Sequence, residues 1–251
     1  MRMKTEEICT AAQVIKHARH LTAFTGAGIS VESGIPPFRG ENGIWSRYDP
    51  GVLDIDRYRS WPDETWPVIN EIFYQFFARA KPNKAHYFLA RLQQEGLLKA
   101  LITQNIDNLH QDAGSKDVIE YHGNSQYMVC TYCGERRKVE EPIVTSEVPR
   151  CSNEGALMKP DFTFFGEPIP KEAALRSMAE AEKSDVMVLI GTTGEVMPAS
   201  MIPKVAKGAG ATIIEINTEA TAFTDSVTDL FLKGRATEVC GMIQQEMETL
   251  K

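Results

Sequence analysis

Residues His20–Ser30 read HLTAFTGAGIS, an apolar run that ends in a small, glycine-rich turn. A strand over Leu21–Thr25 that runs into Gly26-Ala27-Gly28 lets the backbone turn tightly and approach a pyrophosphate. The helix expected next would present free N–H groups to that anion. Val31 stands where a G-x-G-x-x-G turn has its third glycine, so the same residues serve equally as a structural turn. The rest of the chain has to decide between the two.

Outward from this stretch, strand-like apolar runs recur at Leu97–Thr103, Val118–Tyr121, Val186–Ile190, Thr212–Ile216 and Leu230–Leu232. Helical patterns lie between them at Lys84–Glu95, Lys171–Lys183 and Ala199–Lys207. Buried strands alternating with amphipathic helices predict an α/β fold around a parallel sheet. Two segments interrupt the alternation. Phe38 to about Lys81 holds Trp45, Trp61, Trp66 and several prolines, which predicts an irregular loop and then a helical excursion over Trp66–Ala80. Asn124 to about Lys159 holds turn glycines, short strand-like pieces such as Gln126–Val129, and three cysteines. So short a segment has little core of its own, which predicts a metal-stapled module.

The 251 residues carry a formal charge of -7, which argues against direct nucleic-acid binding, because that needs a basic face. The basic run Arg136-Arg137-Lys138 is followed at once by Glu140-Glu141 and reads as a solvated face. Met1–Glu7 lacks the apolar core of a signal peptide, and no stretch reaches the ~18 apolar residues of a spanning helix. The expectation is a cytoplasmic protein with no membrane partner, acting as a monomer. Of five cysteines, Cys130, Cys133 and Cys151 cluster, which in a reducing compartment suggests metal before disulfides. Cys9 and Cys240, on the expected terminal helices, read as packing residues.

Two polar segments follow apolar strands. Thr103–His110, TQNIDNLH, places Gln104, Asn105 and Asp107 at the carboxyl end of a strand, where open α/β sheets bind ligands. Their amides and carboxylate suit a carboxamide and sugar hydroxyls, although a capped helix start explains them as well. Tyr121-His122-Gly123 sits at a similar strand end, where His122 is a general-base candidate or a packing residue.

Together with Gly34–Gly40, Lys159–Glu167, Gly191-Thr192-Thr193 and Ile216-Asn217, these motifs occur in the order found in sirtuins, the NAD-dependent protein lysine deacylases. The chain resembles that family from about Thr22 to Ala236, and the missing third glycine is normal for it. The resemblance implies a Rossmann-like NAD-binding domain made of residues 1–37, 82–123 and 163–251. It adds a cofactor loop with a helical insertion, 38–81, and a small zinc-binding module, 124–162. It implies that Gly26, Ala27 and Gly28 meet the pyrophosphate and that Ser30 reaches the cofactor. Phe38 shields the cleaved glycosidic carbon while Arg39 orders its loop. Gln104 holds ribose hydroxyls, Asn105 and Asp107 position the nicotinamide end, and Ile106 lies against the carboxamide. Gly191, Thr192 and Thr193 line phosphate and ribose, with Asn217 at the adenosine ribose and Ala236 near the adenine. The implied reaction transfers the acyl group of an acylated-lysine protein to ADP-ribose, with His122 deprotonating a ribose hydroxyl. Its products are deacetylated lysine, nicotinamide and O-acetyl-ADP-ribose. Transfer of ADP-ribose to protein, and sensing of NAD or ADP-ribose without turnover, are the alternatives.

The chain departs from the family pattern in two places. Glu154 stands where the fourth zinc thiolate belongs, with seventeen residues, 134–150, between the pairs, so the expected ligands are Cys130, Cys133 and Cys151 with Glu154 or water. On the substrate side, Gly194 and Glu195 precede Val196 in place of apolar residues, and Thr163 takes a tunnel position while Phe165 keeps its aromatic. Glu195 would favour basic residues beside the target lysine. Sirtuins that take acidic acyl groups carry a Tyr-x-x-Arg pair in this region. Here Trp66–Phe77 offers Ile69 and Ile72, and Tyr74 is followed by Phe77 and not by an arginine, which favours acetyl or longer apolar chains.

Overall fold

The computed structural model describes residues 5–38, 43–139 and 147–250. In chain order the elements are α1 (Thr5–Lys16), β1 (Leu21–Thr25), α2 (Ile55–Ser60), α3 (Pro62–Asn70), α4 (Lys84–Gln94), β2 (Leu98–Thr103), α5 (Leu109–Asp112) and β3 (Val118–Glu120). They continue with β4 (Gly123–Cys130), β5 (Arg136–Lys138), β6 (Met158–Phe162), α6 (Lys171–Lys183), β7 (Val186–Ile190), α7 (Met201–Gly208), β8 (Thr212–Asn217), β9 (Leu230–Lys233) and α8 (Ala236–Thr249).

Every residue of β1 is buried, as a central strand with helices on both faces requires. It lies inside a six-stranded sheet of order β3-β2-β1-β7-β8-β9, in which all five pairings are parallel. The chain builds outward from β1 through β2 to β3, then returns to lay β7 against the other side of β1. That reversal leaves a crevice at the carboxyl ends of β1 and β7, the place where doubly wound sheets take ligands. One face of the sheet packs α1, α4 and α8 through Ile8, Ile15, Phe88, Leu89, Val239 and Ile243. The other packs α6 and α7 through Ala181, Ile202 and Ala206.

The antiparallel sheet β5-β4-β6 is built from the cysteine-bearing segment. Its Met128, Cys130, Cys151, Met158 and Phe162 share one apolar cluster with Ile44, Tyr58, Trp66, Ile69 and Phe73 of the segment before α4. The two interruptions thus complete one core between them, which resolves the shortage of apolar area that either has alone. The expected helix over Trp66–Ala80 begins earlier, at Pro62, and changes register. After Asn70 the chain forms π turns over Glu71–Phe76 and a 3-10 turn over Phe77–Arg79. Pro67, inside α3, has no N–H to give to the helical ladder.

Candidate functional site

The turn after β1 is stitched to the turn after β7. Gly26 N–H donates to the Ile190 carbonyl at 3.0 Å and Gly28 N–H to the Gly191 carbonyl at 2.8 Å. A Cβ on Gly28 would lie 2.5 Å from Gly191 Cα, and one on Gly191, at φ +64°, would lie 2.4 Å from Ile29 N. The glycines are therefore required by the mutual approach of two turns at the switch point. The residues that follow, Ala27–Ser33, form a 3-10 helix in place of the expected α-helix, and its Glu32 accepts from Thr237 N–H and hydroxyl at 3.0 and 2.8 Å. That contact ties the turn to the start of α8, where Ala236 is buried.

Ser30, Asn105 and Asp107 meet beneath this turn. The Ser30 hydroxyl donates to Asp107 Oδ2 at 2.6 Å, and Leu109 N–H donates to Oδ1 at 3.0 Å. Asn105 Nδ2 donates to the Gly26 carbonyl and to Ser30 Oγ, each at 3.2 Å. Burial pushes the Asp107 carboxyl up, and the two donors partly offset that shift. Ile106 and Asn105 are both buried, so the segment after β2 is held before any ligand arrives.

A second layer holds the first. Asn105 N–H donates to Thr103 Oγ1 at 3.0 Å, Thr25 Oγ1 donates to the same atom at 2.8 Å, and His110 Nε2 lies 2.9 Å from Thr25 Oγ1. Because the Thr25 proton is already used, His110 Nε2 carries the hydrogen in that contact. His86, on α4, packs edge-on against His110 with ring centroids 4.9 Å apart, and both rings are buried. Desolvation lowers both histidines, His86 to about 4, so the pair is neutral. His110 lies in the TQNIDNLH segment but its role, and all of His86, escaped the sequence. The available signal was Asn83 three residues before His86, a capping box in which Asn83 N–H donates to His86 Nδ1 at 3.2 Å.

His122 follows β3. Its Nδ1 lies 3.2 Å from the Gln104 carbonyl, an acceptor only, so Nδ1 carries the proton and Nε2 keeps its lone pair. Burial lowers its pKa, with a smaller opposing effect of that hydrogen bond. Gln104 Nε2 donates to Thr192 Oγ1 at 2.9 Å, and Asn217 Nδ2 donates to the Thr192 carbonyl at 3.2 Å. Gln104, Thr192 and Asn217 thus line the carboxyl ends of β2, β7 and β8, and Thr193 beside them is exposed. Phe38 is half-buried, 5.5 Å from Trp45 and 6.4 Å from Phe73 between ring centroids. Arg39 lies outside the described residues.

Thr163 N–H donates to the His122 carbonyl at 2.8 Å, which holds the end of β6 against the turn after β3. Phe165 is 49% exposed although its backbone bonds to Leu53 and Ile55 on both sides, so the ring is presented and the chain is fixed. Gly194 sits at φ +77° with its would-be Cβ 3.0 Å from the Phe223 ring. Glu195 is exposed next to it and Val196 is half-buried.

Among the described residues one group of metal-ligating side chains stands out. The thiols of Cys130, Cys133 and Cys151 lie within 4.8 Å of one another. Tyr132 N–H and Cys133 N–H both point at Cys130 Sγ at 3.5 Å, an arrangement that favours a thiolate there. Three convergent sulfurs fit a structural zinc, which takes four ligands. Glu154 is not in the group, and its side chain is exposed. No helix among the described residues is long and apolar enough to cross a membrane.

A profile of the Sir2 family matches residues 26–198. An NAD-dependent protein deacylase of Pyrococcus abyssi is 41% identical over 97% of this chain and 99% of its own length. An NAD-dependent protein deacetylase of Pyrobaculum aerophilum is 44% identical over 94% of this chain and 92% of its own. A Sir2 variant solved with a deacetylated p53 peptide and 3′-O-acetyl-ADP-ribose superposes with a TM-score of 0.90 at 36% identity, covering 97% of this chain and 98% of the other.

Proposed function

The chain belongs to the Sir2 family, and from that premise we propose that it removes acyl groups from protein lysines by transferring them to the ADP-ribose part of NAD. Bound in the crevice, NAD supplies a nicotinamide leaving group and a ribose that accepts the acyl group. The donor set fits it: amides, hydroxyls and one carboxyl converge at the carboxyl ends of four strands, where polar sugars and a carboxamide need partners.

The observation that supports the reaction best is the state of His122. Its Nδ1 proton is committed to the Gln104 carbonyl and its pKa is lowered. The ring is therefore neutral near pH 7, with the Nε2 lone pair available to take a proton from a ribose hydroxyl. Asn105 and Asp107, fixed by Ser30 and Thr103, orient the nicotinamide end without having to reorganise. Gln104 and Thr192, already bonded to each other, turn toward the riboses, and Asn217 serves the adenosine end next to Ala236 and Thr193. Gly26, Ala27, Gly28 and Gly191 bring backbone within reach of the phosphates. Phe38 and Ile106 keep water from the reacting carbon. Thr163, Phe165, Gly194, Glu195 and Val196 receive the peptide, with Glu195 selecting basic residues beside the lysine. Ile69 and Ile72 are both buried in the insertion and offer no cation to an acidic acyl group, so acetyl and apolar acyl chains are the substrates. Cys130, Cys133 and Cys151 hold a zinc that staples the β4-β5-β6 sheet and takes no part in the chemistry. The setting is a cytoplasmic monomer acting on acylated proteins.

The test is incubation with an acetyl-lysine peptide and NAD, following peptide mass and nicotinamide release. Loss of the acetyl mass that requires NAD, and that falls by about 10²–10⁴-fold in His122→Ala, is the expected result. Gain of ADP-ribose mass on the peptide would establish the transferase instead, and tight NAD binding without turnover would establish a sensor.

A further inference from the structure

The zinc site has three sulfurs and needs one more ligand. For a tetrahedral zinc with metal–sulfur bonds of about 2.3 Å, two sulfurs lie about 3.8 Å apart, and a sulfur and a carboxylate oxygen about 3.6 Å apart. Cys133 Sγ and Cys151 Sγ are 3.8 Å apart, already one edge of that tetrahedron. Beside this edge a carboxylate is in place, and it belongs to Glu135. Its Oε2 lies 3.1 Å from Cys151 Sγ, close enough to accept the thiol proton in a hydrogen bond. When a metal displaces that proton, the hydrogen bond is lost and the oxygen moves about half an ångström away from Cys151 Sγ. The carboxylate does not yet lie within 4.8 Å of all three sulfurs, so the Glu135 side chain also swings toward the other two to close the tetrahedron.

The surroundings of Glu135 are those of a held ligand. Its carbonyl accepts from Cys130 N–H at 2.8 Å, which pins residue 135 to the loop that carries the first two cysteines. Asn153 Nδ2 donates to Oε2 at 3.0 Å, and the Arg137 guanidinium lies 3.6 Å from Oε1. An amide that orients the carboxylate and a cation that offsets the surplus negative charge of three thiolates and a carboxylate are the usual outer partners of such a site. Glu154 has none of this. Its carboxylate is exposed and makes no hydrogen bond or ion pair, and what residue 154 contributes is a backbone N–H aimed at Cys151 Sγ.

We infer that Glu135 replaces the missing fourth cysteine as the zinc ligand, giving the set Cys130, Cys133, Glu135 and Cys151, with Glu154 left in solvent. This rests on the zinc reading above. It moves the fourth ligand from the second half of the module to the first, so that three of the four ligands come from six consecutive residues.

The experiment is zinc content and affinity, by metal analysis and chelator competition, on the full chain and on Glu135→Gln, Glu154→Gln and Glu135→His, with the visible spectrum of the cobalt-substituted forms. The expected result is one zinc per chain in the wild type and an affinity at least about tenfold weaker, with an altered cobalt spectrum, in Glu135→Gln. Glu154→Gln should match the wild type. Recovery of affinity in Glu135→His, which restores a ligating atom, would separate loss of a ligand from loss of the fold. Weakening in Glu154→Gln alone would overturn the assignment in favour of residue 154. Equal affinity in both glutamine variants and the wild type would give the fourth position to water. A wild type that retains no zinc would remove this assignment and the zinc reading together, leaving the deacylase reading to its own test.

Discussion

Gly28 and Gly191 show how a residue can be indispensable for a reason its motif does not report. The spacing of Gly26-Ala27-Gly28 suggested room for a pyrophosphate, whereas the structure places each would-be Cβ against backbone of the turn after β7. Gly28→Ala should therefore destabilise the apo protein, by about 1–3 kcal/mol, as well as weaken NAD binding. Thermal unfolding without ligand checks this, and an unchanged apo melting temperature would return the glycine to a purely ligand-facing role. The reason stayed hidden because Gly191 is remote in the chain and no local pattern reports a contact between two turns. His122 was legible for the opposite reason: a titratable ring after an apolar strand is a local signal. Only the Gln104 carbonyl, supplied by another strand end, fixes which ring nitrogen keeps its lone pair.

Elements were legible wherever burial set their period. β1, β7 and α6 begin and end where the apolar pattern does, because strands buried on both faces must be continuously apolar. The segment after α3 was not, since Pro67 and a cluster of aromatics bend it through π and 3-10 turns that no helical period describes. The contact between α4 and α5 was missed altogether, because a neutral buried histidine pair looks like two polar residues until both partners are seen. It has a measurable consequence. His86 has a folded-state pKa of about 4, below the ~6.5 of an unfolded chain. The unfolded state therefore binds a proton that the folded state refuses, and stability present above about pH 6.5 is lost as pH falls toward about 4. The loss from His86 alone is about 3 kcal/mol at about 1.4 kcal/mol per unit, and His110 acts in the same direction. Denaturant unfolding from pH 7 to pH 4 should show His86→Phe less acid-sensitive than the wild type by about that amount. Parallel pH profiles would rule the pair out as the source.

In the whole molecule, the parallel sheet provides the switch-point crevice, and the two interrupting segments form a single apolar core beside it. Thr163 and Phe165 flank Phe164 of that shared core, so the residues proposed to receive the peptide lie beside the smaller body, and those proposed for the cofactor lie at the sheet ends. The sequence showed that both interruptions existed. It did not show that they complete each other, since Met158 and Trp66 meet only in three dimensions. The same blind spot hid Glu135, whose closeness to Cys151 depends on how β4 and β5 turn. The central claim is acyl transfer to ADP-ribose driven by NAD cleavage, and the most direct measurement is the stoichiometry of small-molecule products by mass spectrometry after turnover of an acetyl-lysine peptide. One acetyl-ADP-ribose for each nicotinamide released and each lysine freed is the expected result. Free acetate formed without consumption of NAD, or ADP-ribose recovered on the peptide, would contradict it.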